Sequence, residues 1–373
     1  MVGSNCHRFS IKKIKKFNSK AILRCRICHL PNYFDGVRNI KNGICNLCQN
    51  YVPRKLHRLQ ALKNTITFNP KRKYDCIVPV SGGKDSTYVL YVAKEILKLK
   101  VLAINFGNPF SNPIAIKNVE KACKNLGVEL RVISSKYNYE VKYVRYVLKA
   151  FRKLGYFFGI CNFCHAGIKL AVYNEALKEN IPFVLWGNTF HEDVHVGEKT
   201  KIKLLMNAIK KLSAKELLGF IYHLLLSYIY LTLQKIEFYF PPMRNLLPWV
   251  IPHPQKNLVK DIYVYSYIDW DANYIIKVLK ENLDWNKPIE KHDAMRFDCK
   301  LEAIGEYTWM KAFGISTSAV ICSNLIRAGK VEKEAVIKII ENNNYKSNEI
   351  KCKIEEIEKI SGLKKNELID ELF

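Results

Sequence analysis

The hexapeptide Ser81-Gly82-Gly83-Lys84-Asp85-Ser86 follows the apolar run Val78-Pro79-Val80 and opens a helical pattern. That is what a phosphate cradle requires. Glycines let backbone N–H groups approach an anion, and a helix N-terminus adds partial positive charge. Lys84 can neutralise phosphate oxygens, Ser81 and Ser86 supply hydroxyl donors, and Asp85 can position Mg²⁺ or the loop itself. The spacing is not that of a Walker A loop, which has four residues between its glycines.

Two sets of cysteines carry a second chemistry. Cys25-x₂-Cys28-x₁₆-Cys45-x₂-Cys48 has the spacing of a zinc ribbon, in which two knuckles place four thiolates around one Zn²⁺. Four protein ligands close such a site, so its role is structural. Cys161-Asn162-Phe163-Cys164 instead opens a helix that begins near His165, where thiols suit metal ligation, persulfide or redox work. Cys299, in Met295-Arg296-Phe297-Asp298-Cys299-Lys300, is the natural third member because that segment is dense in polar and charged residues. Three cysteines suit a [4Fe–4S] cluster with one open iron, or a zinc site completed by His165.

These residues need a scaffold, and from about Tyr74 short apolar runs alternate with helical ones. The runs Cys76–Val80, Val101–Phe106, Glu129–Ser134 and Pro182–Trp186 alternate with helices expected over 86–98, 113–126, 139–154 and 165–179. Alternation of this kind implies an α/β fold with a parallel sheet covered by helices on both faces. The expected organisation is a zinc-ribbon module over 1–60 and an ATP-binding α/β domain over 61–200. An apolar helical insertion over 201–255 and a mostly helical region over 256–373, with a charged tail at 343–373, complete it. Leu217–Leu233 carries no formal charge, yet Gly219, His223, Ser227 and Thr232 interrupt it, which favours a buried or interfacial helix over a membrane span.

Sixty Lys and Arg against 34 Asp and Glu give a net charge of +26, a field that favours nucleic acid, nucleotides, anionic sugars or an anionic membrane surface. The first residues lack the apolar core and cleavage site of a signal peptide, so a cytoplasmic location is expected. In that compartment the 12 cysteines are not expected to form disulfides; the Cys-x₂-Cys pairs read as metal ligands or redox and catalytic thiols, and Cys6, Cys76, Cys123, Cys322 and Cys352 as packing or incidental.

Ser-Gly-Gly-Lys-Asp-Ser after a buried strand resembles the signature of the PP-loop ATP pyrophosphatase superfamily. The resemblance implies a HUP-like doubly wound sheet and cleavage of ATP between the α and β phosphates, giving an adenylated acceptor and pyrophosphate. ATP would contact Ser81, Gly82, Gly83, Lys84, Asp85 and Ser86. Asn105, at the end of the second strand, would wall the adenine. Trp186-Gly187-Asn188-Thr189-Phe190-His191-Glu192-Asp193 resembles the element that closes the nucleotide site in these proteins, with Asn188 and Asp193 as candidate phosphate or Mg²⁺ contacts.

Together with the double knuckle, Cys161-x₂-Cys164 and Ser323-Asn324-Leu325-Ile326-Arg327-Ala328-Gly329-Lys330-Val331, these features resemble the N-acetyl sugar amidotransferases of surface-polysaccharide biosynthesis. Members of that family adenylate the acetamido oxygen of a sugar or nucleotide-sugar, and ammonia, usually from a separate glutaminase subunit, displaces AMP. Lys84 and then Arg296 would stabilise the developing charge, with Asp85 beside them. The alternative is similarity to the PP-loop tRNA thiolation enzymes, which combine zinc knuckles, the same hexapeptide and a three-cysteine iron–sulfur centre, and whose RNA substrate suits the basic charge. The C-terminal half resembles the sugar enzymes, so amidotransfer is the first expectation. A zinc-ribbon RNA-binding protein without turnover is the non-enzymatic reading, and the intact Lys84, Asp85 and Ser86 weigh against it. Peripheral membrane contact is an open expectation for Leu217–Leu233.

Overall fold

The runs Cys76–Pro79, Val101–Phe106 and Phe183–Trp186 are almost wholly apolar, so neither of their faces can stand in water, and they take the centre of a sheet. The computed structural model describes residues 23–34, 37, 40–67, 69–135, 137–154, 160–192, 198–239, 259–288, 292, 295–341 and 347–372. The cysteine-rich segment holds a two-stranded antiparallel ribbon of β1 (Ile40–Lys41) and β2 (Ile44–Cys45), then α1 (Asn46–Gln49) and α2 (Leu59–Thr65).

The α/β body runs β3 (Cys76–Pro79), α3 (Lys84–Tyr91), β4 (Val101–Phe106), α4 (Pro113–Leu126), β5 (Glu129–Ile133), α5 (Tyr139–Phe151), α6 (Asn162–Lys178) and β6 (Phe183–Trp186). There follow α7 (Glu198–Ile209), α8 (Ala214–Tyr239), β7 (Lys260–Tyr263) and α9 (Ala272–Leu283). The last helices are α10 (Glu302–Phe313), α11 (Thr317–Arg327), α12 (Lys333–Glu341), α13 (Ser347–Ser361) and α14 (Ile369–Leu372).

All strands of the main sheet are parallel, in the order β5-β4-β3-β6-β7. The chain winds outward from β3 through β4 to β5, then crosses back to β6 and out to β7. The order therefore reverses beside β3, and a crevice opens there at the carboxyl ends of the strands. Alternation along each central strand feeds two cores. Cys76, Val78, Val101, Ala103, Phe183 and Leu185 join one, with α3, α4, α9 and α11. Ile77, Leu102, Ile104, Val184 and Trp186 join the other, with α5, α6, α10 and α13.

Local chemistry sets the helix ends. Asn112 accepts the Ile114 N–H at 2.9 Å and Pro113 starts α4, while Gly127 at φ 58° ends it; such a cap contributes about 1 kcal/mol.

Three expectations change. Lys260–Tyr263, read as part of a helical region, is an edge strand paired with β6, because its short run carries only one fully buried side chain. The charged tail at 343–373 docks as α13, since its apolar residues fall on one helical stripe and Ile350, Ile354 and Ile357 are buried. Among the described residues ten cysteines are free thiols and Cys352 is disulfide-bonded, against the expectation of no disulfides. The Pro-rich run at 241–254 lies outside the described residues.

Candidate active site

The turn after β3 is built around its glycines. Gly82 has φ +84°, and a Cβ there would stand 1.9 Å from the Ala115 carbonyl oxygen, so only glycine lets the loop pass so close to α4. Its carbonyl is turned into the protein, accepting from Trp285 Nε1 at 2.9 Å and Asn118 Nδ2 at 3.1 Å. Gly83 caps α3, whose first N–H groups have no intrahelical partner. Ser81 and Ser86 close the loop, with Ser81 N–H donating to Ser86 Oγ at 3.1 Å and the two hydroxyls 3.2 Å apart. Gly187, after β6, crosses so near that a Cβ would meet Ser86 Cα at 2.8 Å.

Lys84 is only 4% exposed, and its Nζ pairs with Asp85 Oδ2 at 2.9 Å and lies 5.4 Å above the Trp270 ring. Asp85 is held in turn. Its Oδ1 accepts from Trp270 Nε1 at 2.6 Å and its carbonyl accepts from Tyr265 Oη at 3.2 Å. Tyr265 and Trp270 follow β7, far from the loop in sequence. Asp85 thus ties the loop to the sheet edge.

A cavity of about 430 Å³ opens over this loop. It is lined by Ser81, Gly83, Lys84, Asp85 and Ser86, by Asn105, Asn188 and Glu192 at strand ends, by Cys161, Cys164 and His165 on α6, and by Arg296, Asp298 and Cys299. Residues widely separated in sequence therefore share one wall. Asn105 has a further task, donating from Nδ2 to the Val80 carbonyl at 2.7 Å and fixing the end of β3. Asp193 lies outside the described residues.

Main-chain contacts carry the distant segment in. Asn112 N–H donates to the Asp298 carbonyl at 2.9 Å, Ser111 and Cys299 form a β-bridge, and Lys300 N–H donates to the Phe110 carbonyl at 2.8 Å. Arg296 forks onto Asp298, with Nε and Nη2 each 3.3 Å from a carboxylate oxygen. Burial works against the Asp298 charge, but Arg296 and the Ser81 hydroxyl outweigh it and hold the carboxyl below its usual range. At Glu192 burial raises the carboxyl instead, against the pull of Arg296.

Burial likewise raises the thiols of Cys161 and Cys164 and pushes Cys299 up to about 12. Thiols gathered at such a cost to their charged form fit a bound cation, which reverses that preference. Asn108 Nδ2 stands 3.4 Å from Cys164 Sγ as a donor to that sulfur.

The second cysteine set fits zinc. Sγ of Cys25 and Cys48 are 3.7 Å apart, as are those of Cys28 and Cys45. A tetrahedron with Zn–S bonds of about 2.3 Å has edges of about 3.8 Å. Cys45 N–H also donates to Cys25 Sγ at 3.3 Å. Among the described residues only these four place their ligand atoms all within 4.8 Å of one another. Cys161, Cys164 and Cys299 share their cavity at wider spacing. The Arg327 guanidinium lies beside Cys28 and Cys48, and its Nη1 donates to Asn324 Oδ1 at 2.9 Å. Asn324 donates from Nδ2 to the His191 carbonyl at 3.2 Å, so the knuckles are linked through α11 to the neighbour of the cavity residue Glu192.

The sequence pattern missed Trp270, Tyr265, Trp285 and Asn118 as loop supports and Glu192 and Asp298 as wall residues. Asp298 and Glu192 stand in quoted motifs, but nothing local distinguishes a cavity carboxylate from a solvated one.

Fold and site define a parallel α/β protein whose strand-end crevice joins a phosphate-type loop to three cysteines, beside a closed four-cysteine knuckle. No family model matches the chain. It is 29% identical over 121 residues to the uncharacterized protein MJ1599 of Methanocaldococcus jannaschii, a match that spans 31% of this chain and 44% of the relative. A solved structure, the U34-tRNA thiolase NcsA from Methanococcus maripaludis with its [4Fe-4S] cluster, aligns over 87% of this chain and 91% of its own. The identity there is 17% and the TM-score 0.33, a likeness that carries no argument about function.

Proposed function

We propose that the chain is an ATP-dependent enzyme of the PP-loop type that adenylates an acceptor carbonyl oxygen and then replaces that oxygen with sulfur on an RNA base. One observation carries this reading: Cys161, Cys164 and Cys299 line the same cavity as Ser81–Ser86. In the first step the acceptor oxygen bonds to the α-phosphorus of ATP and pyrophosphate leaves. In the second a sulfur nucleophile adds to the activated carbon and AMP departs with the oxygen. Lys84 and the α3 N-terminus would meet the charge that develops on the phosphates, and Arg296, fixed by Asp298, would steady the departing AMP. Asp85 keeps Lys84 in place, and Asn188 and Glu192 stand where Mg²⁺ could join them.

Three thiols on one cavity wall suit a cluster held by three cysteines, with a zinc ion completed by His165 as the alternative occupant. When bound, a [4Fe–4S] cluster held by three cysteines supplies an iron with an open position for sulfur. The basic charge suits an RNA acceptor.

Amidotransfer to an N-acetyl sugar, with ammonia from a separate glutaminase, is the second reading. It is favoured by Asn324, in the segment that resembles the sugar enzymes, which donates to the carbonyl of His191, the neighbour of the cavity residue Glu192. The test is iron and sulfide analysis of anaerobically purified protein, followed by AMP release. Cluster content lost in Cys161→Ser, with AMP formation that needs tRNA and Lys84, supports sulfur transfer. An iron-free protein that forms AMP with an N-acetyl sugar and ammonia but not with tRNA refutes it in favour of the second reading.

A further inference from the structure

Helix α8 packs one side on α5 and α6, and among the described residues the other side is left uncovered. Phe220 and Ser227 are buried, and Tyr146 stacks on Tyr230 at 5.6 Å between ring centroids. On the opposite arc Leu218, Ile221, Tyr222, Leu225 and Ile229 recur at spacings of three and four, which puts them on one stripe. They are strongly exposed, Leu218 by 69% and Leu225 by 57%. Only 11% of the apolar stretch Ala214–Leu233 is buried. From Leu218 to Ile229 the stripe runs about 17 Å. Residues this apolar are rarely left together in water without a partner.

Charge indicates the partner. Helix α7 shows exposed Ile202 and Met206 beside exposed Lys203, and exposed Lys210 follows it, while its Leu205 and Ile209 pack on the core. Lys211 and Lys215 extend the row into the start of α8. The acid nearest this row, Glu216, is engaged in a capping box with Ser213, accepting from its N–H and hydroxyl at 2.8 Å each. Among the described residues these four lysines form no ion pair. A second copy would cover the apolar stripe but bring only more lysine to the row. An anionic bilayer covers the stripe and neutralises the row together.

We propose that the α7–α8 face docks peripherally on an anionic membrane surface, with the Leu218–Ile229 stripe at the acyl boundary and Lys203, Lys210, Lys211 and Lys215 on the headgroups. This placement is independent of the reaction proposed above. Because α8 packs on α6, the helix that opens with Cys161 and Cys164, the docked face is braced against an element of the cavity wall.

The test is co-sedimentation of the full chain with vesicles of phosphatidylcholine alone or of phosphatidylcholine doped with phosphatidylglycerol. Binding to the doped vesicles alone is expected, and it should weaken as salt screens the lysines. Leu225→Asp should abolish it, and each Lys→Gln change in the row should weaken it about fivefold. Leu225 is exposed, so an unchanged thermal melt of the variant confirms that its fold is intact. Equal partition into both vesicle types, or full binding by Leu225→Asp, overturns the proposal. So does a wild-type dimer that Leu225→Asp converts to monomer while neither binds vesicles, an outcome that assigns the face to a second copy.

Discussion

Replacing Lys84 with methionine separates what the phosphate loop does for folding from what it does for chemistry. Met keeps the volume and the apolar stem but removes the ammonium, leaving Asp85 at 14% exposure without the partner it has at 2.9 Å. Removing one member of a buried ion pair costs about 3–5 kcal/mol, because the remaining charge loses its compensation without regaining water. Asp85 retains the Trp270 N–H at 2.6 Å, a bond to a charged group that contributes about 1.5–3 kcal/mol, so the loss should fall near the lower limit, about 3 kcal/mol. Neutralising both groups in Lys84→Met/Asp85→Asn removes the stranded charge. The double variant should then be more stable than the sum of the single ones implies, with a coupling of about 2 kcal/mol. Urea denaturation of the four proteins without nucleotide measures this, and pyrophosphate release from ATP is followed in parallel. Turnover should vanish in both Lys84 variants, including the double variant in which no charge is left unpaired. A coupling under about 0.5 kcal/mol would show that the pair is solvated in solution. Undiminished pyrophosphate release by Lys84→Met would remove the loop from the chemistry altogether.

The cysteine sets should separate cleanly under metal analysis: Cys45→Ser should lose zinc and unfold the segment around Cys25–Cys48, while Cys299→Ser keeps zinc and loses any iron. Arg327→Met should weaken zinc binding about 10–100-fold in chelator competition, the usual effect of losing a group that supports metal ligands; unchanged affinity would deny the guanidinium that role. His191 is buried, and burial, with Lys330 and Arg54 nearby, lowers its pKa from 6.5 to about 4. The unfolded chain takes up that proton as pH falls from about 6.5 to 4 while the native state does not, so stability is lost across that window, by up to about 3 kcal/mol. Denaturation midpoints compared with His191→Gln at each pH isolate this slope, and parallel profiles for the two proteins would refute it.

What the sequence reveals and what it hides divide along contact range. Ser81–Ser86 and the two Cys-x₂-Cys knuckles are legible because a loop of six residues and a chelate of four dictate their own geometry. Alternating apolar runs reveal β3, β4 and β6 because both their faces are buried; β7, with one buried side chain at a sheet edge, leaves no such trace. The supports of the loop are harder still. Asn118 and Trp285 converge on one carbonyl from segments far apart in the sequence, and Trp270 reaches Asp85 across 185 positions. No periodicity records a meeting of that kind. Cys299 is the instructive intermediate case. Its polar neighbours mark it as unusual, but what brings it to the wall it shares with Cys161 and Cys164 is a main-chain bridge to Ser111, which does not depend on side-chain type. The same limit applies to α8. An uncharged run of helical length is compatible with a core, a membrane span or an interface, and the distinction rests on which arc of the helix the body of the protein leaves bare. That arc is set by Tyr146, Phe151 and the rest of α5, so the docking face is a property of the pair of helices and could not be read from Leu217–Leu233 alone.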